Sequence, residues 1–356
     1  MFAVIMAGGR GTRFWPLSRT KKPKHLLNIT GKRSIIQQTV DRIKSYIDED
    51  DIYVVTVATH ADDLAAQLPN LPRENIIVEP MGRNTAPCIG LASLYLKKKD
   101  PNDTMVVLPA DHLIRGEKEF IETLAAAGEM AKRTSSLITI GITPTGPETG
   151  YGYIEKGKRV GTAGGRDIYG VGSFREKPEI ETAQAFVQDG NFLWNSGMFI
   201  WKVSTILEEI ERLLPDLYEA LVEMEGAIGS KGEKEKIHDI YEGVTPISID
   251  YGVMEKADNV LLIKGNFGWS DIGSWDALWE ILDKDHYENA VIGSHISVES
   301  SANLVYSPHK LVTLVGVKDI IVVETEDSIM VCKRGSSQDV KKAVEILEKE
   351  KMEDYL

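Results

Sequence analysis

A glycine-rich segment near the start of the chain has the composition of a loop that binds phosphate. The apolar run Phe2–Met6 leads into A-G-G-R-G-T-R-F-W-P-L-S at 7–18, and P-K-H-L-L follows at 23–27. Three closely spaced glycines after a strand let the backbone bend tightly and present several N–H groups to one anion. Arg13 adds a guanidinium fork, and Lys24, held by a preceding proline, adds a point charge. The segment therefore predicts a site for a phosphorylated ligand.

Two common phosphate-binding motifs do not fit this loop. The dinucleotide fingerprint G-x-G-x-x-G, counted from Gly9 and Gly11, has Phe14 in place of its third glycine. The P-loop pattern G-x-x-x-x-G-K-S/T occurs nowhere in the 356 residues. A dehydrogenase and a P-loop ATPase are therefore disfavoured. The alternative that needs no ligand is a tight strand-to-helix turn with incidental charges.

Two aspartates lie in segments that suit a divalent cation. Asp111 follows the apolar run Thr104–Leu108, and Asp271 lies among small residues and tryptophans in W-S-D-I-G-S-W at 269–275. Mg²⁺ is typically held by one or two protein carboxylates, with phosphate oxygens and water completing its octahedron. An aspartate taken alone in such a position is more often a helix cap or a turn residue than a metal ligand. We interpret His112 as a supporting residue, because the seven histidines show no zinc spacing.

The elements that must position these residues are indicated by alternating patterns in the first 140 residues. Short β-rich runs alternate with helical periods, which predicts an α/β fold with a Rossmann-like, mainly parallel mixed sheet flanked by helices. Ligands bind such sheets at the carboxyl ends of the strands. The predicted strands are Phe2–Met6, Ile52–Ala58, Asn75–Val78, Thr104–Leu108 and Leu137–Gly141, and the predicted helices are Ser34–Ile47, Ala61–Leu68, Thr85–Lys98 and Lys118–Lys132.

Further elements are predicted in the middle of the chain. Residues 141–176 are rich in Gly, Thr and Tyr and predict hairpins at the rim of the sheet. Helical patterns return at Ile180–Gln188 and Val203–Leu214, and strands are predicted at the apolar end of 194–201 and at Val260–Lys264.

The pattern changes after Asn289 to short β segments separated by turn residues. It predicts a small C-terminal β-helix-like module, followed by an amphipathic, charge-laced helix at Gln338–Lys351 that docks or supports a dimer. We therefore expect a large α/β domain over residues 1–285 and a β-rich module with a terminal helix over 286–356.

Composition excludes several classes of protein. Acidic residues number 54 against 41 basic ones, a net charge of −13, which argues against a broad surface for nucleic acid or anionic lipid. Locally concentrated positive charge can still bind a small anion. No apolar run approaches the length of a membrane span, and the first residues lack the features of a signal peptide. We expect a cytoplasmic protein with no nucleic-acid or membrane partner.

The loop signature G-G-R-G-T-R-F-W-P-L-S with P-K-H resembles that of the sugar-1-phosphate nucleotidylyltransferases. The resemblance is strongest to the members that use GTP and mannose 1-phosphate, and it covers about residues 1–280 in order. The further matching stretches are E-P-M-G-R-N-T-A-P at 79–87, L-P-A-D-H at 108–112, G-Y-G-Y-I-E at 150–155, F-R-E-K-P at 174–178, W-N-S-G-M-F at 194–199, S-I-D-Y-G-V-M-E at 248–255 and W-S-D-I-G-S-W at 269–275.

This resemblance implies a reaction as well as a fold. The domain over 1–285 would be a nucleotidyltransferase (GT-A-like) catalytic domain that transfers GMP from GTP to α-D-mannose 1-phosphate, giving GDP-mannose and pyrophosphate with Mg²⁺ as cofactor. A phosphate monoester is largely a dianion near neutral pH, because its second pKa is about 6, so its attack needs no general base. Catalysis then depends on positioning and charge neutralisation.

The same resemblance assigns roles to individual residues. Arg13, Lys24 and Lys177 would be catalytic, and Asp111 and Asp271 would hold the metal. Glu176 would either contact the sugar or orient Lys177. The implied nucleotide-binding residues are Ala7, Gly8, Gly9, Gly11, Thr12, Arg13, Lys24, Glu79, Asn84, Thr85, Pro109 and Ala110, and the implied sugar-binding residues are Gly152, Glu155, Glu176, Lys177, Asn195 and Asp250.

Several alternatives remain open at this stage. The sugar could be another hexose 1-phosphate, such as glucose 1-phosphate, or the chain could be a non-catalytic regulatory subunit that binds nucleotide sugars. Some relatives carry a fused isomerase, and the length after residue 289 leads us to expect no such activity here. We expect a homodimer, because the β module and the terminal helix offer surfaces for one.

Overall fold

The computed structural model describes residues 1–9 and 11–356, and these contain fifteen strands and ten α-helices. The strands are β1 Phe2–Ala7, β2 Ile52–Val57, β3 Ile76–Glu79, β4 Thr104–Pro109, β5 Leu113–Ile114, β6 Leu137–Ile142, β7 Tyr153–Ala163, β8 Arg166–Arg175, β9 Phe192–Lys202, β10 Val260–Gly265, β11 Trp269–Ser270, β12 Ala290–Val298, β13 Leu304–Val315, β14 Ile320–Glu324 and β15 Ile329–Lys333. The helices are α1 Ile35–Ile43, α2 Ala61–Gln67, α3 Thr85–Lys97, α4 Glu117–Arg133, α5 Ile180–Asp189, α6 Val203–Leu213, α7 Pro215–Ala227, α8 Glu233–Glu242, α9 Trp275–Ile281 and α10 Val340–Lys349.

Nine strands form one mixed sheet in the order β3-β2-β1-β4-β9-β6-β10-β8-β7. The strands β3, β2, β1 and β4 are parallel neighbours, as are β6 and β10, while β9 runs antiparallel between β4 and β6. Apolar runs such as β1 are buried on both faces, as expected for strands covered by helices on two sides. The predicted α/β fold with a helix-flanked, mixed sheet is confirmed.

Parallel pairing brings several strand ends to one edge of this sheet. The register aligns Met6 with Pro109 and Val57 with Glu79, so the carboxyl ends of β1 to β4 meet there. The long hairpin β7–β8 lies at the side of the sheet away from β3, as the last two strands in the order. It confirms the hairpin that the sequence predicted at the rim of the sheet.

The predicted boundaries in the first 140 residues are confirmed within one residue, except at the first helix. That helix ends at Ile43 rather than Ile47, because turns replace its last residues. The sequence patterns predicted no helix or strand between residues 214 and 260, where the structure has α7 and α8. Helix α7 carries the period Leu217, Leu221 and Met224 on its buried side, so its pattern was detectable.

The chain divides into two compact units, and each unit consists of three segments that are separated in the sequence. Unit 1 comprises Met1–Gly8, Thr39–Ala110 and Ile114–Trp269, and it contains the large sheet with a core between the strands and helices α3, α6 and α7. The expected domains over 1–285 and 286–356 remain a prediction.

Unit 2 comprises Gly9–Gln38, Asp111–Leu113 and Ser270–Leu356. Its sheet has the order β12-β13-β14-β15, and β12, β13 and β14 are parallel. The core of this unit packs Phe14 against Trp275, with their ring centroids 4.9 Å apart, and extends to Val340 of α10. The predicted β-helix-like module and terminal helix are confirmed. None of the helices in the described part of the chain combines the length and apolarity needed to cross a membrane.

Candidate active site

A buried lysine forms the centre of the first polar site, which lies within unit 2. The side chain of Lys24 is 6% exposed, and its Nζ donates to Asp111 Oδ2 at 2.8 Å and to the backbone oxygen of Asp271 at 2.6 Å. Desolvation raises the pKa of the Asp111 carboxyl, but the charges of Lys24 and His112 outweigh it and bring that pKa down to about 2. The carboxylate of Asp111 is therefore charged at neutral pH.

The glycine loop approaches this lysine more closely than a side chain would allow. Gly11 has φ 65°, and a Cβ there would lie 2.6 Å from Cβ of Lys24. The next residues, Thr12–Phe14, form a short 3₁₀ turn whose Phe14 is buried. Ser18 Oγ donates to the backbone oxygen of Gly11 at 2.6 Å and closes the loop. A glycine is thus required at position 11 on both steric and conformational grounds.

The glycine loop, Lys24 and the two aspartates Asp111 and Asp271 line one pocket of about 300 Å³, which we call the Lys24 pocket. Sequence reasoning predicted most of its polar side chains but missed Lys341, the second residue of α10. Nothing in the sequence pattern of a charge-laced helix says which of its lysines faces a pocket. The lining residues are Gly11, Thr12, Arg13, Phe14, Lys24, Asp111, His112, Asp271, Gly273 and Lys341.

The carboxylates of Asp111 and Asp271 fit the ligand chemistry of Mg²⁺. Both line the Lys24 pocket, and Asp271 Oδ1 accepts a hydrogen bond from the backbone N–H of Gly273 at 3.0 Å. Within residues 1–9 and 11–356, no three His, Cys, Asp or Glu side chains cluster closely enough to hold a metal ion. Two carboxylates suffice for Mg²⁺ when a bound substrate supplies phosphate oxygens.

A second set of predicted residues lies at the carboxyl edge of the sheet in unit 1. Glu79 ends β3 and is 4% exposed, and its Oε2 accepts a hydrogen bond from the hydroxyl of Tyr241 at 2.9 Å. Its Oε1 lies beside Gly8, where a Cβ would approach it to 3.2 Å. Burial raises the pKa of Glu79 to about 7, although the Tyr241 hydrogen bond acts in the opposite direction. Tyr241 was not among the predicted residues.

The remaining predicted residues of this edge have structural contacts. Asn84 caps α3, since its side chain accepts from the N–H of Thr85 at 2.8 Å. The hydroxyl of Thr85 accepts from the N–H of Ile249 at 2.8 Å. Ala110 donates its N–H to the oxygen of Met6 at 3.0 Å. The oxygen of Ala7 accepts from Thr56, whereas Arg10, inside the predicted glycine loop, lies outside the described residues.

A third group, also within unit 1, joins five of the six predicted sugar-binding residues and is called the Asp250 centre. Asn195 Nδ2 donates to Asp250 Oδ1 at 2.7 Å, and the N–H of Asn195 donates to the oxygen of Gly152 at 2.8 Å. Lys177 Nζ donates to Glu176 Oε1 at 2.6 Å. A Cβ at Gly152 would lie 2.2 Å from Glu176 Oε2. Glycine at this position therefore leaves room for the Glu176 carboxylate.

The Asp250 centre has two carboxylates, Glu176 and Asp250, and one lysine, Lys177. This excess of negative charge shifts the pKa values of its groups. Burial and the negative charge of Glu176 raise the pKa of Asp250 to about 6, against the effects of Asn195 and Lys177. Burial alone would lower the pKa of Lys177, but its bond to Glu176 outweighs this and the pKa is raised. Glu176 Oε2 is buried and has no hydrogen-bond partner among the described residues.

Glu155 is the predicted sugar-binding residue that is not connected to this group. It lies on β7, and its Oε2 accepts from Ser173 of the neighbouring strand β8 at 2.9 Å. No hydrogen bond links it to Glu176, Asn195 or Asp250 in the part of the chain that the structure describes.

Comparisons with known proteins agree with this architecture. Residues 2–288 match the family model of the nucleotidyl transferases, and residues 293–347 match that of the MannoseP isomerase/GMP-like beta-helix domain. A mannose-1-phosphate guanylyltransferase of Salmonella montevideo is 41% identical over 358 residues, covering 99% of this chain and 75% of that protein. One from Escherichia coli is 38% identical over 353 residues, covering 98% of this chain and 76% of its own length.

A solved structure shows the same fold over nearly the whole chain. It is described as mannose-1-phosphate geranyltransferase from Thermus thermophilus, and it superposes with a TM-score of 0.87 at 32% identity, covering 98% of this chain and 99% of its own. The fold, the loop and these relatives together define an enzyme of the nucleotidyltransferase class. Within that class, the chain belongs to the family of the mannose-1-phosphate guanylyltransferases.

Proposed function

We propose that this chain transfers GMP from GTP to α-D-mannose 1-phosphate and releases pyrophosphate. The observation that carries the proposal is Lys24, a buried ammonium held by Asp111 and the Asp271 carbonyl beside the glycine loop. Such a fixed cation suits a phosphorus atom that is transferred from one oxygen to another, because the site is organised before charge develops in the transition state. The relatives' names supply the nucleotide and the sugar.

The phosphate chemistry is assigned to the Lys24 pocket. The N–H groups of the glycine loop and the side chains of Arg13 and Lys24 would bind the triphosphate and orient its α-phosphorus for in-line attack. Asp111 and Asp271 would hold Mg²⁺, which when bound neutralises phosphate charge. No side chain needs to deprotonate the nucleophile, because a phosphate monoester with a second pKa of about 6 is already largely dianionic.

The sugar phosphate is assigned to the Asp250 centre. Lys177, whose side chain is 56% exposed, would bind the phosphate of mannose 1-phosphate. We assign both roles considered from the sequence to Glu176: its Oε1 accepts from Lys177, and its Oε2, which has no hydrogen-bond partner among the described residues, would accept a sugar hydroxyl. Asn195 and Asp250 would bind further hydroxyls. Glu155, on the strand β7 that pairs with β9, is the last of the predicted sugar-binding residues.

Guanine recognition is assigned to Glu79. A carboxylate can accept both N1–H and the N2 amino group of guanine, a pair of donors that adenine does not offer in this arrangement. The Tyr241 hydroxyl holds one carboxylate oxygen at 2.9 Å and so fixes the direction of the other. Asn84, Thr85, Pro109 and Ala110 shape the remainder of the base and ribose site.

Initial rates of pyrophosphate release test the proposed function. Purified protein is given each of GTP, ATP, UTP and dTTP with mannose 1-phosphate or glucose 1-phosphate in the presence of Mg²⁺. We expect the highest kcat/KM for GTP with mannose 1-phosphate. A higher value with glucose 1-phosphate would reassign the sugar, and no release with any pair would contradict catalysis and favour a regulatory binding subunit.

We also propose that the protein forms a homodimer through its β module. Val298 of β12 pairs with Val315 of β13, and these two apolar side chains are 49% and 64% exposed. Neighbouring exposed apolar side chains of this kind favour an interface with another chain. Light scattering during size-exclusion chromatography would show twice the mass of the chain, whereas a monomer at all concentrations would contradict the dimer.

A further inference from the structure

Helix α10 brings a second lysine into the pocket of unit 2 that holds the glycine loop. Lys341 lines the Lys24 pocket together with Arg13, Asp111 and Asp271. Its position was not indicated by the sequence, where α10 was expected only to dock or to support a dimer. The helix is amphipathic, with Val340 and Val344 buried in the core, so Lys341 lies beside an anchored residue.

Contacts before, along and after the helix hold Lys341 in place. Before α10, the carboxylate of Asp276 accepts hydrogen bonds from the N–H of Gly335 at 2.7 Å and from the N–H of Ser337 at 3.2 Å. The helix itself packs against the 3₁₀ turn Thr12–Phe14. After the helix, Trp15 Nε1 donates to the backbone oxygen of Tyr355 at 2.8 Å. The lysine is thus presented by a fixed element and not by a loose tail.

The charges in the pocket leave Lys341 available for an anion. Lys24 already pairs with Asp111, whereas Lys341 has no hydrogen bond or ion pair with any described residue. The following residue, Lys342, is different, since its Nζ pairs with Asp339 at 2.9 Å. The described lining has three cationic side chains, Arg13, Lys24 and Lys341, and two aspartates. Without Lys341 the charges of these lysine, arginine and aspartate side chains would cancel, and with it their sum is positive.

We propose that Lys341 binds the β- and γ-phosphates of the nucleotide, the part that leaves as pyrophosphate. This inference rests on the proposed function, which assigns the α-phosphate to the buried Lys24. An exposed lysine has a long, flexible stem and a compact point charge, which suits terminal phosphates whose position changes as they depart. Negative charge on the leaving group grows during transfer, so this contact would strengthen in the transition state and assist catalysis. The terminal helix is thereby part of the active site.

Binding measurements with matched lysine variants test this proposal. Isothermal titration calorimetry with inorganic pyrophosphate, GTP and GMP, each with Mg²⁺, is performed on the wild-type protein, Lys341→Ala, Lys341→Arg and the control Lys342→Ala. We expect Lys341→Ala to weaken pyrophosphate and GTP by about tenfold, which corresponds to roughly 1.4 kcal/mol. GMP affinity should be unchanged, because GMP lacks the phosphates in question. Lys341→Arg should restore most of the lost affinity, and Lys342→Ala should match the wild type.

Two results would overturn the proposal. Lys341→Ala could bind pyrophosphate as tightly as Lys342→Ala does, or it could lose GMP and GTP affinity equally, which would indicate a general disturbance of the pocket. The melting temperature of each variant identifies any unfolding, and Lys341→Arg keeps the test decisive if Lys341→Ala is unstable. A wild-type protein that binds pyrophosphate and GTP but makes no GDP-mannose contradicts the proposed function alone, and one that binds neither contradicts both.

Discussion

In the Lys24 pocket of unit 2, a buried ammonium is fixed by a carboxylate and a carbonyl, and the pKa of Asp111 is lowered to about 2. In the Asp250 centre of unit 1, the lysine is half-exposed, the carboxylates are in excess, and the pKa of Asp250 is raised to about 6. The carboxylate of Asp111 therefore keeps its charge down to about pH 2, whereas the charge of Asp250 changes near pH 6. This contrast matches a division between phosphate transfer and the binding of sugar hydroxyls.

The largest effect is expected at the fixed cation. Lys24→Ala should lower kcat on the order of 100-fold to 1,000-fold, because a preorganised charge at the transferring phosphate is lost. Stability should also fall, by about 1–2 kcal/mol in the free energy of unfolding, since Asp111 loses its partner; the 38% exposure of that side chain limits the loss.

Steady-state kinetics and urea unfolding of Lys24→Ala measure the two effects. The exposed Lys21, three residues earlier in the chain, provides the control variant Lys21→Ala, which should behave as the wild type. Normal turnover in Lys24→Ala would remove the proposed difference between the two regions.

A smaller effect is expected from the residue assigned to the base. Glu79→Gln should reduce the preference for GTP over ITP by about tenfold, because inosine lacks the N2 amino group and a glutamine amide has only one acceptor oxygen. Competition between GTP and ITP for transfer to mannose 1-phosphate measures this preference directly. Glu74→Gln, at an exposed position near the start of β3, is the matched control. An unchanged preference in Glu79→Gln would place guanine recognition elsewhere.

The smallest effect is a difference in pH dependence between Asp111 and Asp250. The folded-state pKa of Asp111 lies below its ordinary value, so its stabilising contribution is present above pH about 4 and is lost as the pH falls towards about 2. The folded-state pKa of Asp250 lies above its ordinary value, so its contribution is present at low pH and is lost as the pH rises towards about 6.

Urea unfolding at a series of pH values compares the wild type with Asp111→Asn and Asp250→Asn. The stability of the wild type relative to Asp111→Asn should increase as the pH rises. Its stability relative to Asp250→Asn should decrease as the pH rises, and each change should be about 1 kcal/mol. Profiles that slope in the same direction would show that the two regions do not differ in this way.

The sequence indicated the strands and loops more completely than the contacts between distant segments. The glycines, the apolar strands and the positions of Asp111 and Asp271 predicted a phosphate site, because local spacing and strand topology determine where such loops lie. The burial of Lys24 and the bond from Tyr241 to Glu79, 162 residues away, depend on how helices pack, which spacing does not reveal. Lys341 was missed for the same reason, since its neighbours in the Lys24 pocket come from segments far from it in the sequence.

The transfer of the nucleotide's α-phosphorus is the central claim, and isotopic labelling tests it most directly. Protein incubated with mannose 1-phosphate, Mg²⁺ and GTP labelled with ³²P at the α-position should move the label into GDP-mannose. GTP labelled at the γ-position should release its label only as pyrophosphate. Label from the α-position that remains in GTP, or appears as GMP without a sugar, would contradict the account.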